Sequence, residues 1–386
     1  MAPRHRAWAE INLAAFRTNL REAAAVAKQA KVWPVLKANA YGHGAIAAAK
    51  ICEAEGINRI GVGDSREALE LRESGIRTPL LVLGTVIDSE LPDMLTHQIE
   101  VGVHSELRAR ELNNLASKTR KVLGVHLKID TGMARLGVRP EAALRVAQTI
   151  HEAPYLELRG VMTHFSAISG GKTAAGQQAL FTSTLHEIQN SGIVIPSVHC
   201  ASSAALYAKS GVIGNAVRPG ISLFGILPRE HSKPPNLQAV LSLRAQVVFL
   251  KDLPSGTPVG YGGRWVSHRP TRIATLPIGY NDGIPYRLGA EGRGNVLLRG
   301  CRCPIVGAIS MDYCTVDVGH VPGVALSDVA TLIGRDGKEN ICAEEVAEAA
   351  GTIAYEVTCS IGARVRRVFC EKNQPHILNP IKKTVT

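Results

Sequence analysis

Up to about residue 227 the sequence alternates short runs rich in β-branched residues with longer amphipathic stretches. That alternation points to a parallel sheet whose strands are joined by helices. Eight runs carry the strand pattern, at 32–38, 59–62, 79–84, 99–104, 124–130, 158–165, 197–202 and 216–225. Helical periodicity predicts helices at 44–55, 65–74, 105–117, 140–151 and 172–190. A leading helix presents Leu13, Phe16, Leu20, Ala24 and Ala27 on one face, with Asn12 as its N-cap. Eight strands with crossover helices favour a closed (β/α)8 barrel of the TIM type over an open doubly wound sheet, and no G-x-G-x-x-G follows the first strand.

The pattern changes after residues 228–236 (PREHSKPPN), a polar, proline-rich stretch that reads as a linker. Beyond it, strand-like runs at 241–252, 271–278, 295–300, 304–318 and 328–333 follow at short spacing, with one late helix at 343–350. The expected organisation is therefore an α/β barrel over residues 1–235 and a mainly β domain over 236–386.

Of the 386 residues, 44 are Lys or Arg and 33 Asp or Glu, a net charge of +11. The positive charge is spread along the chain without a Lys/Arg run, and only 4% of residues are aromatic, which argues against a nucleic-acid partner and fits attraction of small anions. The opening MAPRHRAWAEIN has no apolar core of a leader, and no uninterrupted apolar stretch long enough to span a bilayer follows, so a cytoplasmic location without membrane partners is expected. The eight cysteines are scattered, and Cys301-Arg302-Cys303 lacks zinc-site spacing, so no metal is expected.

Barrel enzymes carry their reactive groups at the C-terminal ends of the strands. The first run ends at Lys37, ahead of a tight loop with Gly42 and Gly44. A lysine there can form a Schiff base with an aldehyde, or simply extend to solvent. The fifth run ends in Lys128, Asp130 and Arg135, the sixth in His164, the seventh in His199, Ser202 and Ser203, and the eighth in Arg218, Gly220 and Ile221. Barrels often bind phosphate after strands seven and eight, which suits Ser203 with the backbone of Gly220 and Ile221. Each residue alone has a plainer reading, as core histidine, helix cap or turn glycine. Together they describe a phosphate-bearing aldehyde beside a lysine.

Six segments in order, VLKANAYGHG, LKIDTGMARLG, VRPGISLFG, VGYGGRW, LPIGYNDG and SMDYCTVDV, give the chain its resemblance to the alanine racemases, from WAEIN near the start to AYEV and the Arg-rich end. The resemblance implies pyridoxal 5'-phosphate as cofactor, held by Lys37, and a two-base interconversion of L- and D-alanine that supplies D-alanine for peptidoglycan. Lys37 would serve one face of the substrate and Tyr261, from the other subunit of a homodimer, the opposite face. Arg218 would face the pyridine nitrogen and, always protonated, leave that nitrogen without a proton, weakening the ring as an electron sink. His199 would orient Arg218 and His164 would lie against the ring. Tyr41 and Tyr355 would bind phosphate with Ser203, Gly220 and Ile221. Arg135 would contact the cofactor's phenolic oxygen and the substrate carboxylate, and a carbamylated Lys128 would position Arg135. Met311, with Asp312 beside it, would reach the substrate pocket from the partner subunit.

Three positions depart from the family pattern. Ser202 stands where asparagine is common, and Ser169 and Ala308 stand where many members have an acidic and a basic residue at the entrance. A racemase of another amino acid, such as serine, is the neighbouring alternative. A non-catalytic carrier of the cofactor would not require Tyr261, and a barrel-plus-β decarboxylase would want a carboxylate where Arg218 stands.

Overall fold

The computed structural model of the protein describes residues 5–166, 172–208, 214–227, 236–290 and 292–371. Eight short parallel strands form the first sheet: Lys31–Val32, Ile60–Val62, Leu80–Val82, Glu100–Val103, Leu123–Lys128, Leu156–Met162, Val198–Ser202 and Ala216–Arg218. From the second onward each pairs with the next in sequence, and the eighth pairs with the first. The remaining seam closes through a parallel bridge between Val35 and Gly61, where Leu36 N–H donates to Gly61 O and Gly61 N–H to Pro34 O, both at 2.8 Å. The sheet is thus the expected TIM-type barrel.

Two barrel strands stop far short of the expected ends, at Val32 rather than 38 and at Arg218 rather than 225. Pro219 cannot donate to a ladder, so the eighth ends at Arg218 and a short helical turn, Ile221–Phe224, takes over. The first gives way after Val32, and Lys37–Tyr41 coil into a left-handed turn, with φ of +52°, +52°, +55° and +53° at Ala38, Asn39, Ala40 and Tyr41. Such a conformation costs about 1–2 kcal/mol per non-glycine residue. It is held by side chains: a Glu67 carboxylate oxygen accepts the Ala38 N–H, and Asn39 Oδ1 accepts from Ala45 N at 2.8 Å.

The leading helix, Leu13–Ala27, starts where Asn12 Oδ1 accepts the Ala15 N–H at 3.0 Å, so Asn12 is its cap. Its buried face holds Leu13, Phe16, Leu20 and Ala27 as expected, but Ala23 rather than Ala24. Helices Ser65–Glu73 and Glu106–Thr119 are capped by Asp64 and Ser105, and Pro140–Glu152 opens on its proline. A helix at Leu91–Thr96 was not expected.

The second sheet has strand order Phe249–Leu253, Thr271–Leu276, Cys314–Asp317, Cys301–Val306, Asn295–Leu298, Val329–Asp336, Leu241–Gln246, Ala7–Asn12 and Arg366–Cys370. The chain's first strand therefore lies in this sheet rather than in the barrel, antiparallel to Leu241–Gln246 and parallel to Arg366–Cys370. The runs expected at 241–252 and 304–318 each divide into two strands. The late helix Ala343–Ala350 is followed by a second, Ala354–Cys359. Of the linker at 228–236, only residue 236 is among the described residues.

Asn19, fully buried, ties the two parts together. Its Nδ2 donates to Leu223 O at 3.0 Å and Gln238 O at 2.7 Å, while its Oδ1 accepts from Gln238 N at 2.8 Å. A second junction lies at Gly42, with φ +83°, where an added Cβ would sit 2.0 Å from Thr358 O. Only glycine allows this approach, which brings the helix Ala354–Cys359 against the lysine turn and Tyr355 to 5.9 Å from the Tyr41 ring.

Candidate active site

At the C-terminal ends of the barrel strands a cavity of about 380 Å³ opens. Lys37, Tyr41, Lys128, Arg135, His164, Ser202, Ser203, Arg218, Gly220, Ile221 and Tyr355 all line it, so most of the site expected from sequence converges there. Among the described lining residues Lys37, Lys128, Arg135 and Arg218 are cationic and none is acidic. Burial and the charges of Arg218 and Arg135 pull the Lys128 ammonium down to a pKa of about 8. His164 is pulled down to about 3 by burial and then by Arg218 and Lys128, so it presents a neutral imidazole. An anionic ligand would relieve this crowding of positive charge. Lys37 itself is exposed at the mouth rather than enclosed by apolar side chains.

One wall fits a phosphate. Ser203 Oγ accepts from Gly220 N at 2.8 Å and Ser222 N at 3.2 Å, and Ser222 Oγ is 2.9 Å away. The Ile221 N–H opens the helical turn Ile221–Phe224 beside it. Tyr41 and Tyr355 face this wall with hydroxyls kept protonated, their pKa values raised by burial. In the loop after the fifth strand Asp130 Oδ1 accepts the N–H groups of Gly132, Met133 and Ala134 at 2.9, 2.9 and 3.1 Å, which holds the backbone leading to Arg135.

Arg218 is buried in the cavity floor. Nη1 lies 2.8 Å from His199 Nδ1 and also donates to His199 O, while Nη2 donates to Thr163 O at 2.7 Å. Its hydrogen-bond partners among the described residues are neutral, and burial pulls its pKa down to about 10. His199 lies behind Arg218. The residues present therefore suit a group carrying a phosphate, an aldehyde and a hydrogen-bond acceptor. No cluster of His, Cys, Asp or Glu among the described residues could hold a metal ion.

Three expected residues do not reach this cavity from their own chain. Tyr261 is 75% exposed, in the turn Tyr261–Gly263 of the second domain. Met311 is 53% exposed, and Asp312 accepts from Arg364 Nη1 at 2.8 Å. The segment with Met311 and Asp312 sits near other exposed aromatics: Tyr280 N–H donates to Ser310 O at 3.1 Å, and Tyr286 packs 6.5 Å from Tyr280. Of the departures, Ser202 lines the cavity, Ala308 is buried beside Gly260, and Ser169 lies outside the described residues. Sequence reading missed Glu67, which accepts from Gly63 N at 2.7 Å as well as from Ala38, and His126, inside the barrel behind His199. The signal for His126 was present, since it stands two residues before the inward-facing Lys128.

The alanine racemase N-terminal domain model matches residues 11–228, and the C-terminal domain model matches residues 240–369. The chain belongs to the alanine racemase family. An alanine racemase of Methanococcus maripaludis is 41% identical over 371 residues, covering 95% of this chain and 99% of that protein. The alanine racemase of Clostridium difficile 630 superposes with a TM-score of 0.90 at 32% identity, covering 97% of this chain and 98% of that one. The alanine racemase of Bartonella henselae, solved with covalently bound pyridoxal phosphate, has a TM-score of 0.84 at 28% identity, with 95% and 99% covered.

Proposed function

We propose that this chain is a pyridoxal-phosphate-dependent alanine racemase, active as a homodimer, that interconverts L- and D-alanine and supplies D-alanine for peptidoglycan. Arg218 carries this reading. A guanidinium aimed at the pyridine nitrogen donates a hydrogen bond without giving up its proton, which suits proton exchange at Cα better than transamination or decarboxylation. Bound in the cavity, the cofactor would supply the electron sink that makes the Cα–H of alanine acidic.

The protein's own groups would do the rest. Lys37 Nζ would hold the cofactor, and its amine would take or return the proton on one face of Cα; the Tyr261 hydroxyl of a second copy would do so on the other. Tyr41, Tyr355, Ser203 Oγ and the N–H groups of Gly220 and Ile221 hold the phosphate. Neutral His164 packs against the ring without adding charge. Arg135 binds the substrate carboxylate, and Lys128, when carbamylated, turns from a repelling cation into an anion that steadies Arg135. Met311 and Asp312 of the second copy close the pocket. The exposure of Tyr261, Met311, Tyr280 and Tyr286 on one domain supports a subunit interface there.

Working boundaries of 1–235 and 236–386 are supported by the two family matches, with Ala7–Asn12 lending a strand to the second sheet. A cytoplasmic setting is supported by the absence of any disulfide among the eight cysteines. No helix among the described residues is long and apolar enough to cross a membrane.

The absorption spectrum of the purified protein, with and without borohydride, tests cofactor and attachment together. Peptide mapping should find the reduced adduct on Lys37, and a colourless protein without an adduct would end the reading. Because Ser202, Ser169 and Ala308 depart from the family pattern, a panel of enantiopure amino acids should accompany it. A larger kcat/KM for serine or lysine than for alanine would overturn the alanine assignment, and failure to rescue a D-alanine auxotroph would overturn the biosynthetic role.

A further inference from the structure

A row of polar groups crosses the barrel interior from Arg218 through His199 to His126, Glu100 and Arg59, the last three without a part in the reaction so far. Arg218 Nη1 lies 2.8 Å from His199 Nδ1, His199 Nε2 lies 2.8 Å from His126 Nδ1, and His126 Nε2 lies 2.8 Å from Glu100 Oε2. Glu100 Oε1 accepts from Arg59 Nη2 at 2.7 Å. Both imidazoles are fully buried. The barrel makes room for the row: register slips between Val125 and His126 opposite Gly160, where an added Cβ would be 2.7 Å from His126 Nδ1.

The two ends dictate where the hydrogens sit. Arginine only donates, so His199 Nδ1 must be bare; a carboxylate only accepts, so His126 Nε2 must carry a hydrogen. Between them His199 Nε2–H donates to His126 Nδ1, and every link is satisfied with both rings neutral and both hydrogens on Nε2. Burial favours those neutral forms. The opposite tautomers would aim an N–H at Arg218 and a lone pair at Glu100.

We propose that Glu100 is a positioning residue for Arg218: fixed by Arg59, its carboxylate sets the tautomers of His126 and His199 and so keeps a bare Nδ1 for the guanidinium. The catalytic consequence rests on the reading that Arg218 serves the cofactor's ring nitrogen, whereas the tautomers do not depend on it.

Glu100→Gln gives the test its direction. The amide has one accepting atom for two donors. Arg59 can only donate and lies over the Trp33 ring at 4.4 Å, so it keeps the carbonyl. The NH2 then faces His126 Nε2, which must become bare, and both rings switch to Nδ1–H, bringing His199 N–H against Arg218. The double variant Arg59→Met with Glu100→Gln frees the carbonyl for His126 and should restore the original tautomers.

Imidazole ¹⁵N spectra of histidine-labelled holoenzyme should show Nε2–H at both His126 and His199. In Glu100→Gln both should become Nδ1–H, kcat should fall about tenfold with KM nearly unchanged, and the absorption of the bound cofactor should shift. The double variant should recover both the tautomers and most of kcat. An Nδ1–H or cationic ring at either position in the unaltered protein overturns the proposal, whether or not a variant folds. So does a Glu100→Gln enzyme with unchanged tautomers, or one with switched tautomers and normal kcat. Failure of the cofactor reading shows itself separately, as no spectral change when pyridoxal phosphate is added.

Discussion

The Tyr41 hydroxyl fills the space that a side chain at Gly220 would need, since a Cβ added there lies 2.1 Å from Tyr41 Oη. Gly220→Ala must push Tyr41 off the phosphate wall, and affinity for pyridoxal phosphate should fall at least about tenfold, read by absorbance titration. Gly176→Ala is the control. It lies in the helix Lys172–Asn190 with nothing within 4 Å of the new methyl, and should stabilise by about 0.5–1 kcal/mol without touching affinity.

Lys37→Ala should abolish the borohydride adduct and racemisation together. Retained racemisation in the variant would refute the role given to the lysine.

Tyr261→Phe should leave cofactor binding intact, because it removes only a hydroxyl that has no part in holding the cofactor. Exchange of the α-hydrogen for deuterium should be lost for one enantiomer and kept for the other. Wild-type exchange from both would sink the two-base scheme.

Acid should destabilise the protein well before its carboxylates are protonated. Burial lowers the pKa of His43 to about 4, of His104 to about 4 and of His164 to about 3, from an ordinary 6.5. As pH falls below 6.5 the unfolded chain takes up protons that the folded chain refuses, so stability drops down to about pH 4. Each such histidine contributes a slope approaching about 1.4 kcal/mol per pH unit. Thermal melts between pH 7 and pH 4.5 should show this, and His43→Gln should flatten the profile.

Asn19→Ala would leave Leu223 O, Gln238 O and Gln238 N without their buried partner. A loss of about 2–4 kcal/mol is expected, measured by urea denaturation, with a rise in the cofactor dissociation constant because Leu223 belongs to the turn after Gly220.

The barrel was legible because each strand is a local run, and the end of each run delivered Lys37, Lys128, His164, Ser203 and Arg218 to one rim. Tyr41 and Tyr355 could come only from the resemblance, since Tyr355 reaches the cavity through the packing of Gly42 on Thr358, a contact between distant segments. Glu100 and Arg59 gave no signal because they lie beneath the rim, where reactive groups are not sought. The strand Ala7–Asn12 was overlooked for a related reason: both its neighbours come from beyond residue 240.

That strand also bears on synthesis. While the ribosome is still making the barrel, Trp8 and Ile11 have no neighbour to zip against. One flank appears only with residues 241–246 and the other only with residues 366–370. A nascent chain thus carries a sticky apolar ribbon throughout synthesis of the barrel. Chaperone demand, and the danger of exchange between neighbouring nascent copies, should be greatest just before that late ribbon emerges.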